Sequence, residues 1–123
     1  MELLYNSTRN KDEKVTASLA ILKGLAPDGG LYVPAYIPKL EKGMDAFANM
    51  SYQETAYEVM KQFFTDFTEE ELKSCIAKAY DDKFDTKAIA PLKKTKDAYY
   101  LELFHGSTIA FKDMALSILP HLM

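Results

Sequence analysis

The chain contains a single cysteine, Cys75, so it cannot close an internal disulfide, a usage suited to a reducing compartment. It lacks any stretch near the ~20 apolar residues that span a bilayer. Met1 to Asn10 also lacks the apolar centre of a secretory signal. Positive charge is not in excess either. The formal net charge is −3, and Lys93, Lys94 and Lys96 form the only local basic cluster. That balance argues against electrostatic nucleic-acid binding. Together these absences predict a cytoplasmic protein with no nucleic-acid or membrane partner. Several motifs are missing as well. There is no G-x-S-x-G elbow for a hydrolase serine, and Asp28-Gly29-Gly30 has neither the Lys-Ser/Thr of a phosphate loop nor the spacing of a dinucleotide fingerprint. His105, His121 and Cys75 lack zinc spacing, so no metal site is expected.

What is present is an ordinary globular balance, 48% apolar and 27% charged over 123 residues, enough for one modest core. Leu3-Leu4-Tyr5 reads as a short edge strand and Asn6 to Asn10 as a turn. Val15, Leu19 and Leu22 recur at helical spacing, with Gly24 placed just beyond the helix end. Pro27-Asp28-Gly29-Gly30 is turn chemistry, and Leu31 to Val33 fits a strand ended by Pro34. Two helix starts carry capping boxes, Ser51 with Glu54 and Thr68 with Glu71. Their apolar faces are Ala56, Val59, Met60, Phe63 and Phe64 in the first, and Leu72, Ile76, Ala79 and Tyr80 in the second. Both read as scaffold. Ile89 to Leu92 and Tyr99 to Phe104 are expected to pair across Lys93 to Ala98. Asp81 to Ala88 marks a boundary between a helical front part and a strand-led back part.

Chemistry concentrates in the run from Tyr99 to Leu116. It reads as a buried strand, a tight loop at His105 to Thr108, and a helix over Ile109 to Leu119 with Thr108 as its N-cap. Lys112 then lies one turn in, among Ile109, Ala110, Phe111 and Met114. A lysine held in apolar surroundings tends to lose its proton, because burial disfavours the charged form. A neutral amine can form a Schiff base with an aldehyde. A lone helical lysine is ordinarily a surface residue; its apolar neighbours raise Lys112 above that. Asp113, next in sequence, faces elsewhere and need not pair with it.

The segment Leu101-Glu102-Leu103-Phe104-His105-Gly106-Ser107-Thr108-Ile109-Ala110-Phe111-Lys112-Asp113 closely resembles the cofactor-lysine segment of the threonine synthase family. Tyr5-Asn6-Ser7-Thr8-Arg9, followed by Gly24 to Pro34, resembles the same family's N-terminal signature. The resemblance runs from Tyr5 to about Leu116 and is least specific in the middle helices. It implies a pyridoxal-phosphate enzyme of the tryptophan-synthase-β-like fold. The expected class is α+β, with a mainly helical N-terminal domain carrying a few short strands over residues 1–85. Residues 86–123 would lead into the first strand and helix of a fold-type II pyridoxal-phosphate α/β domain. The implied reaction converts O-phospho-L-homoserine and water into L-threonine and phosphate, the last step of threonine biosynthesis. Lys112 falls on the family's Schiff-base lysine, as catalytic and cofactor-binding residue, and Phe111 is expected against the cofactor. His105, Ser107 and Thr108 line the approach to the lysine without firm roles. Alternatives are a related pyridoxal-phosphate phospholyase or β/γ-eliminase, and a non-catalytic helical interaction domain.

Three features depart from the family pattern. Ser107 stands where the family usually has proline, and Pro120 interrupts what is normally a continuing helix. Threonine synthases are also several times longer, and their Gly-rich phosphate cradle and most substrate ligands come later. The expectation is therefore an N-terminal fragment, inactive alone, that holds pyridoxal phosphate poorly and self-associates through exposed apolar surface.

Overall fold

The computed structural model describes residues 2–123. Its first element, β1 (Tyr5–Ser7), runs between β2 (Lys14–Val15) and β3 (Tyr32–Pro34) in a three-stranded antiparallel sheet. The expected edge strand at Leu3 to Tyr5 is thus displaced along the chain and lies in the sheet centre. The cause is local. Ser7, expected in a turn, is only 1% exposed, and its hydroxyl donates to the Asp28 carboxylate at 2.7 Å. That carboxylate also accepts the Gly30 N–H at 2.8 Å. The Pro27 to Gly30 turn therefore supplies the partner that lets a polar residue be buried. A Cβ on Gly30 would collide with the Ser7 hydroxyl, which explains the glycine.

Helix α1 (Ala17–Lys23) starts two residues later than its apolar spacing suggests, because Thr16 accepts the Leu19 N–H and acts as N-cap. Val15 belongs instead to β2. At the other end Gly24 takes φ +70° and donates its N–H to Ala20, the expected stop. A short α2 (Met44–Phe47), not anticipated from the sequence, follows β3. Helices α3 (Tyr52–Met60) and α4 (Glu69–Ala79) begin with complete capping boxes at Ser51 and Thr68, as expected.

Helix α4 carries the core. Its Leu72, Cys75, Ile76 and Ala79 join Tyr80, Phe84, Ile89, Ile118 and Leu122 in one buried cluster, on which Tyr52, Ala56, Tyr57 and Met60 of α3 pack. Residues from both sides of 85 thus share one interior. A hairpin of β4 (Leu92–Lys94) and β5 (Tyr99–Leu101) projects from it, with Leu92 opposite Leu101. The two runs pair as expected, but the first strand is displaced: it takes in Lys93 and Lys94, expected in the turn, and leaves out Ile89 to Pro91, while β5 stops at Leu101 and is exposed along its length rather than buried. The ribbon has two strands, and every residue of both is exposed. Among the described residues no helix is long and apolar enough to cross a membrane. The architecture is α+β and mainly helical, as expected from the sequence.

Candidate active site

Beyond Leu101 the chain crosses to the core through Glu102 to His105 and then forms two short helices, α5 (Asp113–Leu116) and α6 (Leu119–Leu122). The single helix expected over Ile109 to Leu119 is not formed. Thr108 does not cap it: the Thr108 N–H and hydroxyl both donate to the Asp113 carboxylate, at 2.8 and 2.6 Å. Ile109 adopts φ +60°, a left-handed conformation that breaks any helix begun at Thr108. Lys112 therefore sits at the N-cap of α5 rather than one turn inside a helix. Pro120 falls in the first turn of α6, where its missing N–H costs nothing.

Lys112 is exposed as a residue, which corrects the expectation of an enclosed amine. It lies on the wall of an open cavity of about 720 Å³ whose other lining includes Tyr52, Leu101, Leu103, Phe111, Met114 and Leu116. The apolar neighbourhood read from the sequence is thus present, but as a rim and not as an enclosure. Lys112 is the one charged residue of that lining. Phe111 is 66% exposed beside it. Tyr52 pairs edge-on with Tyr80, their ring centroids 4.9 Å apart. Burial raises the phenol pKa of both tyrosines, that of Tyr80 far above its ordinary value.

His105 does not share this cavity. Its Nδ1 stands 2.5 Å from Asp85 and its Nε2 2.8 Å from Glu102, while Phe104 stacks on the ring. Hydrogen bonds to Glu102 first and Asp85 second hold its pKa above the ordinary value. The Asp85 N–H also donates to the His105 carbonyl at 3.0 Å. This histidine is a tie between the segment after α4 and the segment after β5. Of the residues placed along the approach to Lys112, Thr108 is held by Asp113 and Ser107 is exposed. Sequence reasoning set Asp113 apart from Lys112, as observed, but gave it no partner, and it missed Glu102. The i, i+3 spacing of Glu102 and His105 was the available signal for that contact.

The arrangement offers one primary amine at the mouth of an apolar cavity, anchored by a short helix that packs on the core. Comparison with known proteins bears on it directly. The family described as threonine synthase N terminus matches residues 4–80. The chain belongs to this family. Threonine synthase from Schizosaccharomyces pombe is 40% identical over 98% of the chain and 24% of its own length. That from Corynebacterium glutamicum is 40% identical over 96% of the chain and 26% of its own length. The crystal structure of threonine synthase from Brucella melitensis, bound to pyridoxal phosphate, superposes with a TM-score of 0.89 at 36% identity, covering 98% of this chain and 26% of that one. The chain thus spans about a quarter of the length of these relatives. The matched family region stops before Lys112, whereas the similarity to the relatives runs on through it.

Proposed function

We propose that this chain is the N-terminal part of a cytoplasmic, pyridoxal-phosphate-dependent threonine synthase that turns O-phospho-L-homoserine and water into L-threonine and phosphate. In this reading residues 1–85 form the N-terminal domain and residues 86–123 open the cofactor-binding domain. Lys112 would hold the cofactor through its Nζ and would hold or move a proton at that atom, and Phe111 would pack against the cofactor. The observation that carries the assignment is a lysine amine set on an apolar cavity within a family of threonine synthases. Pyridoxal phosphate fits the site in two respects. Its aldehyde needs a primary amine, and its aromatic ring suits walls made by Tyr52, Leu101, Leu103 and Phe111. When bound, the cofactor supplies an electron sink for carbanion chemistry. These residues would contribute attachment, orientation and an apolar wall that keeps water from the amine. The lining offers no second cation for the phosphate, so this chain alone would hold the cofactor reversibly through the Lys112 amine, where reduction can trap it.

The test is chemical trapping. The chain is incubated with pyridoxal phosphate, reduced with borohydride, digested and mapped by mass spectrometry. Label concentrated on Lys112, lost in Lys112→Ala, is the expected result; label spread evenly over the surface lysines rejects the assignment. For the reaction, a protein containing this chain is assayed on O-phospho-L-homoserine. Threonine as product supports the synthase, and 2-oxobutyrate would mark an eliminase instead.

A further inference from the structure

We infer that Asp113 is a positioning residue for Lys112, an inference that rests on the reading of Lys112 as the cofactor-binding amine. Asp113 is 5% exposed, and a carboxylate so buried must be fully partnered. Its partners all lie in the loop that leads to the lysine. Oδ2 accepts the Thr108 N–H at 2.8 Å and Oδ1 accepts the Thr108 hydroxyl at 2.6 Å. Gly106 rests directly on the same side chain: a Cβ there would stand 2.5 Å from Oδ2 and 2.6 Å from the Asp113 Cβ. The Asp113 N–H donates to Ala110 at 3.1 Å, and the Leu116 N–H to the Lys112 carbonyl at 2.8 Å. The backbone from Gly106 to Lys112 is therefore closed onto the first turn of α5 from both ends.

Ile109 shows the closure is enforced. A β-branched residue at φ +60° is disfavoured on its own, so the contacts on either side must hold it there. Ion pairing is the obvious alternative for an aspartate beside a lysine. Here both Asp113 oxygens serve Thr108, and among the described residues no carboxylate lies within ion-pair distance of the Lys112 amine. The two neighbours in sequence thus divide the work. Asp113 faces the loop and fixes its path, and Lys112 lines the cavity. Without the carboxylate grip the Thr108 N–H and hydroxyl lose their acceptor, the loop opens, and the amine is no longer held at the cavity wall.

The test uses the full 123-residue chain as Thr108→Val, Asp113→Asn and Thr108→Ser, with trapping by pyridoxal phosphate and borohydride. The readout is the ratio of label on Lys112 to label on the exposed Lys87, with hydrogen exchange over residues 106–112 alongside. Thr108→Val removes one hydroxyl from an exposed residue and leaves the core intact, so it remains interpretable if Asp113→Asn does not fold. The Lys112 to Lys87 ratio should fall roughly tenfold in Thr108→Val, the scale of one lost hydrogen bond to a charged group. Exchange in the loop should rise, and Thr108→Ser should restore both. An unchanged ratio in folded Thr108→Val overturns the inference while leaving the role of Lys112 standing. A parent chain with no preference for Lys112 overturns that role, and this inference with it.

Discussion

The Tyr80 hydroxyl donates to the main-chain carbonyl of Met114 across 2.7 Å, joining the end of α4 to the helix that follows Lys112. Burial raises the phenol pKa well above its ordinary value, so the donor stays protonated through the physiological range. Tyr80→Phe keeps the ring and removes this bond. The expected loss is about 1 kcal/mol, or a fall of roughly 4 °C in Tm for a domain of this size. A thermal melt checks it, and an unchanged Tm would show that the bond adds nothing.

His105 lies between two carboxylates, and Glu102 and then Asp85 favour its charged form. Its folded pKa is therefore raised above the ordinary 6.5. A raised folded value means that the stabilisation is complete below the unfolded pKa and fades as pH rises through the folded one. The gap in Tm between the parent chain and His105→Gln should thus be widest in mildly acid solution and shrink above neutrality. A gap that stays constant with pH would exclude the charged tie.

Gly106 has no room for a side chain, since its Cβ would meet Asp113. Gly106→Ala should cost about 1–3 kcal/mol by overpacking, measured by urea unfolding. Wild-type stability in this variant would mean that the loop can shift freely away from Asp113.

Thr68 satisfies the start of the helix that carries the core, accepting the Glu71 N–H while Glu71 accepts the Thr68 N–H. Thr68→Ala should destabilise by about 1 kcal/mol. The loss should appear as a lower urea midpoint with an unchanged slope.

The exposed apolar residues include Leu22, Leu25 and Leu31 around the first sheet, and Tyr99, Leu101, Phe111 and Leu116 around the hairpin and cavity. Surface of this kind predicts association with a second copy of the chain. Sedimentation velocity over a concentration series should show mass increasing with concentration. One monomeric species throughout would refute it.

Elements with complete local signals were legible in the sequence. The capping boxes at Ser51 and Thr68, the stop at Gly24 and the Pro27 to Gly30 turn each need only neighbours in the chain. What was misread depends on distant partners. Ser7 enters a strand because Asp28 meets its hydroxyl, and no feature of Asn6 to Asn10 shows that. Thr108 looks like a helix cap, and the residue that claims it, Asp113, lies inside the helix it was expected to start. The apolar company of Lys112 was legible, and the structure sets it on an apolar cavity. Its exposure was not legible, because that depends on how far the hairpin and α3 close over it.

The interior assembled on α4 includes Ile118 and Leu122, and the Cys75 thiol donates to the His121 carbonyl at 2.9 Å. This has a consequence for the order of events during synthesis. A chain emerging from the ribosome exposes Leu72, Cys75 and Ile76 close to fifty residues before their last packing partner, Leu122, appears. Until then the cluster holds Tyr80, Phe84 and Ile89 but lacks Ile118 and Leu122. The nascent chain therefore leaves the part of the α4 face that Ile118 and Leu122 cover open through that interval.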